Sequence, residues 1–173
     1  MNEQERQQRN TERLQELNAG FRARLQGVLT ALELHGLHPR IQDAWRSPQA
    51  QLDAWRHGFS KLRFGFHNVT DANGKPAALA ADVLDNDAPI TASSAYLLQL
   101  AAAAEQAGLH TGIRWGLPNE MAKAIDAAIA RKDWHAKVKI GWDPTHVETT
   151  DITVAQAEAQ TIAQAKARQH AGP

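Results

Sequence analysis

The densest run of chemically capable side chains is Trp142-Asp-Pro-Thr-His-Val-Glu148. Pro144 fixes its own φ and biases Asp143 toward an extended backbone. Asp143 and His146 then lie three residues apart at a rigid turn, a carboxylate beside an imidazole. If the stretch is extended, His146 and Glu148 share a face. A second group lies upstream: Phe66-His67-Asn68 and, 15 residues after His67, Asp82 within Ala80-Ala-Asp-Val-Leu84. A carboxylate in an apolar strand is costly unless it is paired or binds a cation. Each group alone suits a structural role, the first as a surface turn and the second as a buried salt bridge. Together, His67, Asp82 and His146 make a three-ligand nitrogen and oxygen set of the kind that holds zinc with a fourth position open. Zinc lowers the pKa of water toward 7, and Asp143 is then available as general base. This is the equipment of metal-assisted amide hydrolysis.

Composition narrows the alternatives. The 173 residues include eight His and no Cys, so cysteine nucleophiles and thiolate zinc sites are excluded. Nineteen basic residues balance nineteen acidic ones, which gives no broad electrostatic footprint for nucleic acid or anionic lipid. No nucleic-acid partner is expected. No apolar run approaches the length of a membrane span. The opening MNEQERQQRN has no apolar core of a secretory signal, so synthesis in the cytoplasm without a signal peptide is expected.

The elements that must carry these side chains can be read from periodicity and punctuation. Residues 1–10 are polar and expected to fray, and residues 11–170 are expected to form one domain. Leu14, Leu17, Phe21, Leu25, Val28, Leu29 and Leu32 recur at helical spacing, with a break near Asn18 to Gly20. Gly36 and Pro39 end that helix. Arg40–Trp45 reads as a strand, and Ser47-Pro48 caps a helix running to about His57. Residues 59–78 read as loop, with a turn at Asp71 to Pro76. Ala80–Leu84 reads as a strand, Thr91–Gly108 as a helix, Leu109–Trp115 as a strand and Pro118–Lys132 as a helix. Val138–Ile140 and Thr145–Glu148 are short strand candidates, and Val154–Arg168 is an Ala/Gln-rich helix. The mixture is α+β, a small mainly antiparallel sheet with packed helices.

Four blocks in order resemble the family of D-Ala-D-Ala carboxypeptidases and L-alanyl-D-glutamate endopeptidases, zinc peptidases of the bacterial cell wall that include phage endolysins. Ala44-Trp-Arg-Ser-Pro-Gln-Ala-Gln-Leu-Asp-Ala-Trp55 with Gly58-Phe-Ser-Lys61 resembles the first block, and Gly65-Phe-His67 stands for Ser-x-His. Ala78-Leu-Ala-Ala-Asp82 stands for Gly-x-Ala-x-Asp, and Asp143-Pro-Thr-His146 for the last block. The chain departs from the pattern at Gly65 and Ala78 and in the spacing from His67 to Asp82, which in the family is more often about seven. The extra residues coincide with the Asp71–Pro76 turn, and a surface insertion of this kind is inexpensive in loop entropy. The resemblance implies a hedgehog/D-Ala-D-Ala peptidase-type fold, zinc on His67, Asp82 and His146, and Asp143 as catalytic base. It also implies that Arg46 contacts the substrate and steadies developing negative charge.

Around these residues, Ser60, Lys61 and Arg63 are candidates to line a groove for an anionic substrate, since stem peptides carry carboxylates. Gln51 is expected to hold the loop, and Glu148 to orient a ligand from outside. Trp115 and Trp142 are expected in the core or the groove wall. His35 and His38 are read as caps, and Asp85 and Asp87 as solvated turn residues. The expected function is zinc-dependent hydrolysis of an amide bond in the peptidoglycan stem peptide, with the L-alanyl-D-glutamate bond favoured. Cobalt or manganese can replace zinc in such a ligand set. A holin-type route would release the protein to the wall. The alternatives are removal of a terminal D-Ala, or a non-catalytic wall-binding module on the same fold. Gly65 motivates the latter, and the final helix would then offer an oligomer contact.

Overall fold

The computed structural model describes residues 1–170. Four strands make one antiparallel sheet in the order β1-β2-β4-β3, with β1 at Pro39–Asp43, β2 at Ala80–Asp85, β3 at Leu109–Gly112 and β4 at Asp143–Thr149. Six helices surround it: α1 (Glu3–Leu14), α2 (Ala19–Leu34), α3 (Pro48–Arg56), α4 (Ser94–Gln106), α5 (Asn119–Arg131) and α6 (Val154–His170). A single 3-10 turn covers Phe66–Asn68. The class is the expected α+β.

Strand alternation divides the side chains between two faces. Ile41, Ala81, Val83 and Val147 are fully buried on one, against Phe21, Leu25 and Leu98 of the helices. Asp82, His146 and Glu148 lie on the other. There Ala80 packs with Phe66 and Ala157, so α6 and the 3-10 turn cover one end of that face and leave the rest open. No helix of the described residues is long and apolar enough to cross a membrane.

Two expectations are corrected. Residues 1–10 do not fray: Asn2 caps α1 with a reciprocal Glu5 bond, and the helix closes the open edge of β1. Arg9 donates from Nε to Ile41 O at 2.9 Å and from Nη2 to Gln42 O at 2.6 Å. Asn10 accepts from Ile41 N at 2.8 Å and donates to Pro39 O at 3.0 Å. Arg6, only 1% exposed, donates to Pro39 O and pairs with Glu3 and Glu33. An edge strand otherwise offers unpaired groups to other chains; here a polar helix face satisfies them. Val138–Ile140 is not a strand. The segment packs by side chain against the core, and only the following Gly141 N and Trp142 N reach across, to Ile113 O and Trp115 O beyond the end of β3.

Asn10→Ala is expected to leave Ile41 N–H buried without an acceptor. The cost should be about 1–3 kcal/mol, measured as a lower urea midpoint at unchanged slope.

Candidate metal centre

Three elements from distant parts of the chain deliver the candidate ligands. Asp82 is on β2 and His146 directly opposite it on β4, so the antiparallel register sets the two side chains side by side. His67 arrives on the 3-10 turn, which is stapled to the segment between β1 and α3. Its Nδ1–H donates to Ala44 O, its carbonyl accepts from Arg46 N at 2.9 Å, and Asn68 Nδ2 donates to Arg46 O at 2.8 Å. The first of these bonds fixes the tautomer that turns the Nε2 lone pair inward.

The donor atoms converge. His67 Nε2 is 3.3 Å from His146 Nδ1, His146 Nδ1 is 3.1 Å from Asp82 Oδ1, and His67 Nε2 is 3.7 Å from Asp82 Oδ1. A tetrahedral ion with ligands at about 2.0–2.1 Å has edges of about 3.3–3.4 Å, which these distances bracket. Both imidazoles are buried and Asp82 is partly exposed toward the cleft. On its far side His146 Nε2–H meets Glu148 Oε2 at 3.0 Å. Each histidine thus has one nitrogen tied back to the protein and one aimed at the shared point, an arrangement that fits a cation with nitrogen and oxygen ligands.

Electrostatics give the same reading. Burial would lower His146, but hydrogen bonds to Asp82 and Glu148 outweigh it and push the imidazolium up to about 9. Burial would likewise raise Asp82, yet hydrogen bonds to His146 and His67 hold it well below the usual carboxylate range. The pocket is strongly stabilising for positive charge, and a divalent cation would take the place of the proton on Nδ1.

Asp143 reaches the same cleft through a break in the ladder. Thr111 pairs with Val147, but Gly112 pairs with Asp143, so β4 bulges by three residues. The bulge suspends the two-residue alternation and brings Asp143 to the side of His146. Close backbone approach makes this possible. A Cβ on Gly112 would lie 2.1 Å from Asp143 O, and one on Gly141 would lie 2.7 Å from Gly112 O. Burial raises the Asp143 carboxyl above its usual range, with the nearby Asp82 charge adding to the effect and His146 opposing it.

Arg46, Gln51, Ser60, His67, Asp82, Asp143, His146 and Glu148 all line one cleft of about 560 Å³. Arg46 is held by Asp43 at 2.6 Å and by Gln51 Oε1 at 3.1 Å. Buried Gln51 also donates to Ser60 Oγ at 2.8 Å and to Leu62 O at 2.7 Å, bracing the loop that forms the opposite wall. Arg63 is not on the cleft wall; its guanidinium stacks 4.1 Å over Trp55. His38 pairs with Asp87 at 2.7 Å, away from the cleft. Trp115 and Trp142 line the cleft, as expected of groove-wall residues, and the Trp115 ring packs 5.2 Å from that of His146 and 5.3 Å from Trp142. One contributor was not anticipated: Asn68 accepts from Gly65 N at 2.8 Å, and with its bond to Arg46 O it holds the His67 turn. An Asn directly after a candidate ligand was the available signal. Gly65 has an ordinary extended φ, and a Cβ there would meet only Asn68 Oδ1, at 4.0 Å. Gly65→Ser is therefore expected to change stability by less than about 0.5 kcal/mol, read from paired denaturation curves.

Fold and site together define a small α+β protein with an open His-Asp-His centre and a free carboxylate beside it. The fold is shared with the crystal structure of Serratia marcescens L-Ala D-Glu endopeptidase ChiX, at TM-score 0.54 and 17% identity, covering 82% of this chain and 86% of that chain. No protein-family model matches the sequence, and no curated protein matches it.

Proposed function

We propose that this protein is a zinc-dependent peptidase that hydrolyses an amide bond of the peptidoglycan stem peptide, with the L-alanyl-D-glutamate bond as its target. The observation that carries the reading is the convergence of His67, Asp82 and His146 at tetrahedral ligand spacing, with Asp143 in the same cleft. The fold shared with an L-Ala D-Glu endopeptidase supports the choice of bond.

Zinc held by His67, Asp82 and His146 would supply a Lewis acid and a lowered water pKa. The chain's own residues do the rest. Glu148 and Ala44 O keep the two imidazoles oriented. The Asp143 carboxylate accepts a proton from the attacking water and returns it to the leaving amine nitrogen, a task its raised pKa suits. Arg46, locked in place by Asp43 and Gln51, presents positive charge to the oxygen on which negative charge develops.

The test is metal analysis coupled to mass spectrometry of digested muropeptides. One zinc per chain and release of the whole stem peptide support the proposal. Loss of D-Ala alone would move the reading to a carboxypeptidase, and capture on intact peptidoglycan without any product would move it to a binding module.

A further inference from the structure

The cleft presents two cationic side chains, and they differ in what they already face. Arg46 is committed to Asp43 and Gln51. Lys61 forms no ion pair among the described residues, and its Nζ sits 4.6 Å from the centroid of the Trp142 ring, next in sequence to Asp143. A cation over an indole face is held without being neutralised. The two neighbours of Lys61 in the chain are also held, because Gln51 Nε2 donates to the Ser60 side chain at Oγ and to the Leu62 backbone at O. Of the cleft's three carboxylates, Asp82 and Glu148 are paired with imidazoles, and Asp143 forms no ion pair with Lys61. The ammonium is therefore placed, exposed and unpaired at the rim beside the candidate base.

We infer that Lys61 determines specificity by binding a free carboxylate of the substrate on the Trp142 side of the cleft. This rests on the stem-peptide reading above. The stem offers two such groups: the α-carboxylate that D-Glu keeps when it is linked onward through its side chain, and the carboxylate at the peptide's end. A charge-assisted hydrogen bond to either contributes more than a neutral one and orients the peptide across the scissile bond.

The experiment compares the zinc-loaded wild type, Lys61→Gln and Lys61→Arg on three synthetic L-Ala-γ-D-Glu-L-Lys peptides. One has both carboxylates free, one is amidated at the D-Glu α-carboxyl, and one is amidated at the C-terminus. The wild type should lose about tenfold in kcat/KM, through KM, on one amidated peptide, and that peptide identifies the group bound. Lys61→Gln should lose the same factor on the free-acid peptide and discriminate by less than about twofold, with zinc content unchanged. Lys61→Arg should keep the discrimination, and raised salt should weaken it. Equal cleavage of all three peptides by the wild type overturns the inference and leaves the peptidase reading intact. Unaltered discrimination in Lys61→Gln does the same. Cleavage of none by the zinc-loaded wild type removes the L-alanyl-D-glutamate endopeptidase reading, and the inference with it.

Discussion

Replacing His67 with Ala is expected to abolish stoichiometric zinc binding and to lower stem-peptide cleavage on the order of 10³-fold or more. The change removes one of three converging donors and leaves His146 Nδ1 and Asp82 Oδ1 at 3.1 Å. Two donors cannot define a tetrahedral site with a single open position. The variant should still fold, because His67 sits on the 3-10 turn outside the main core and its neighbours stay joined by Asn68 Nδ2 to Arg46 O. Circular dichroism and a urea curve check this, while metal content and kcat/KM carry the test. Exposed His135 lies away from the cleft, and His135→Ala should change neither. If His67→Ala retains one zinc per chain at wild-type affinity, the ligand set is wrong.

What made this centre legible is that its members are polar residues where the local pattern calls for apolar ones. Asp82 interrupts Ala80-Ala-Asp-Val-Leu84, and His146 interrupts a short β-forming run, so each stands out in one dimension. Their meeting depends on register, with β2 and β4 adjacent despite three intervening elements, and spacing alone does not carry that. The resemblance to known wall peptidases supplied the link. Periodicity also located most helices, since α2 and α4 bury apolar stripes.

The failures have physical causes too. α1 buries Arg6 and Asn10, with Leu14 as its one buried apolar side chain. Its inner face works by hydrogen bonds to β1, so an apolar-periodicity test reads it as solvated tail. Val138 and Ile140 pack against the core with their backbone outside the ladder, so alternation there marks burial without pairing. The bulge that turns Asp143 toward His146 is likewise set by the backbone fit of Gly112 and Gly141. Pro144 hinted at a rigid turn, but the direction in which Asp143 points is a tertiary result.

Asp143→Asn is expected to separate binding from chemistry. The substitution preserves shape and leaves His67, Asp82 and His146 in place, so one zinc per chain should be retained. The amide cannot accept a proton, so kcat should fall by about 10²–10⁴-fold with little change in KM. Stability gives an independent readout. Burial raises the folded-state pKa of Asp143 above its unfolded value. The folded protein therefore holds this proton to higher pH than the unfolded chain does, and stability falls as pH rises through that interval. Above it the ionised carboxylate is a net burden on the fold, which Asn does not carry. Asp143→Asn should consequently raise the Tm at neutral pH while removing activity, a trade expected of a group kept for its chemistry. The same shift places the acid limb of the wild-type kcat/KM profile above the ordinary carboxylate range. A variant that keeps activity, or that loses zinc along with it, would remove Asp143 from the role of base.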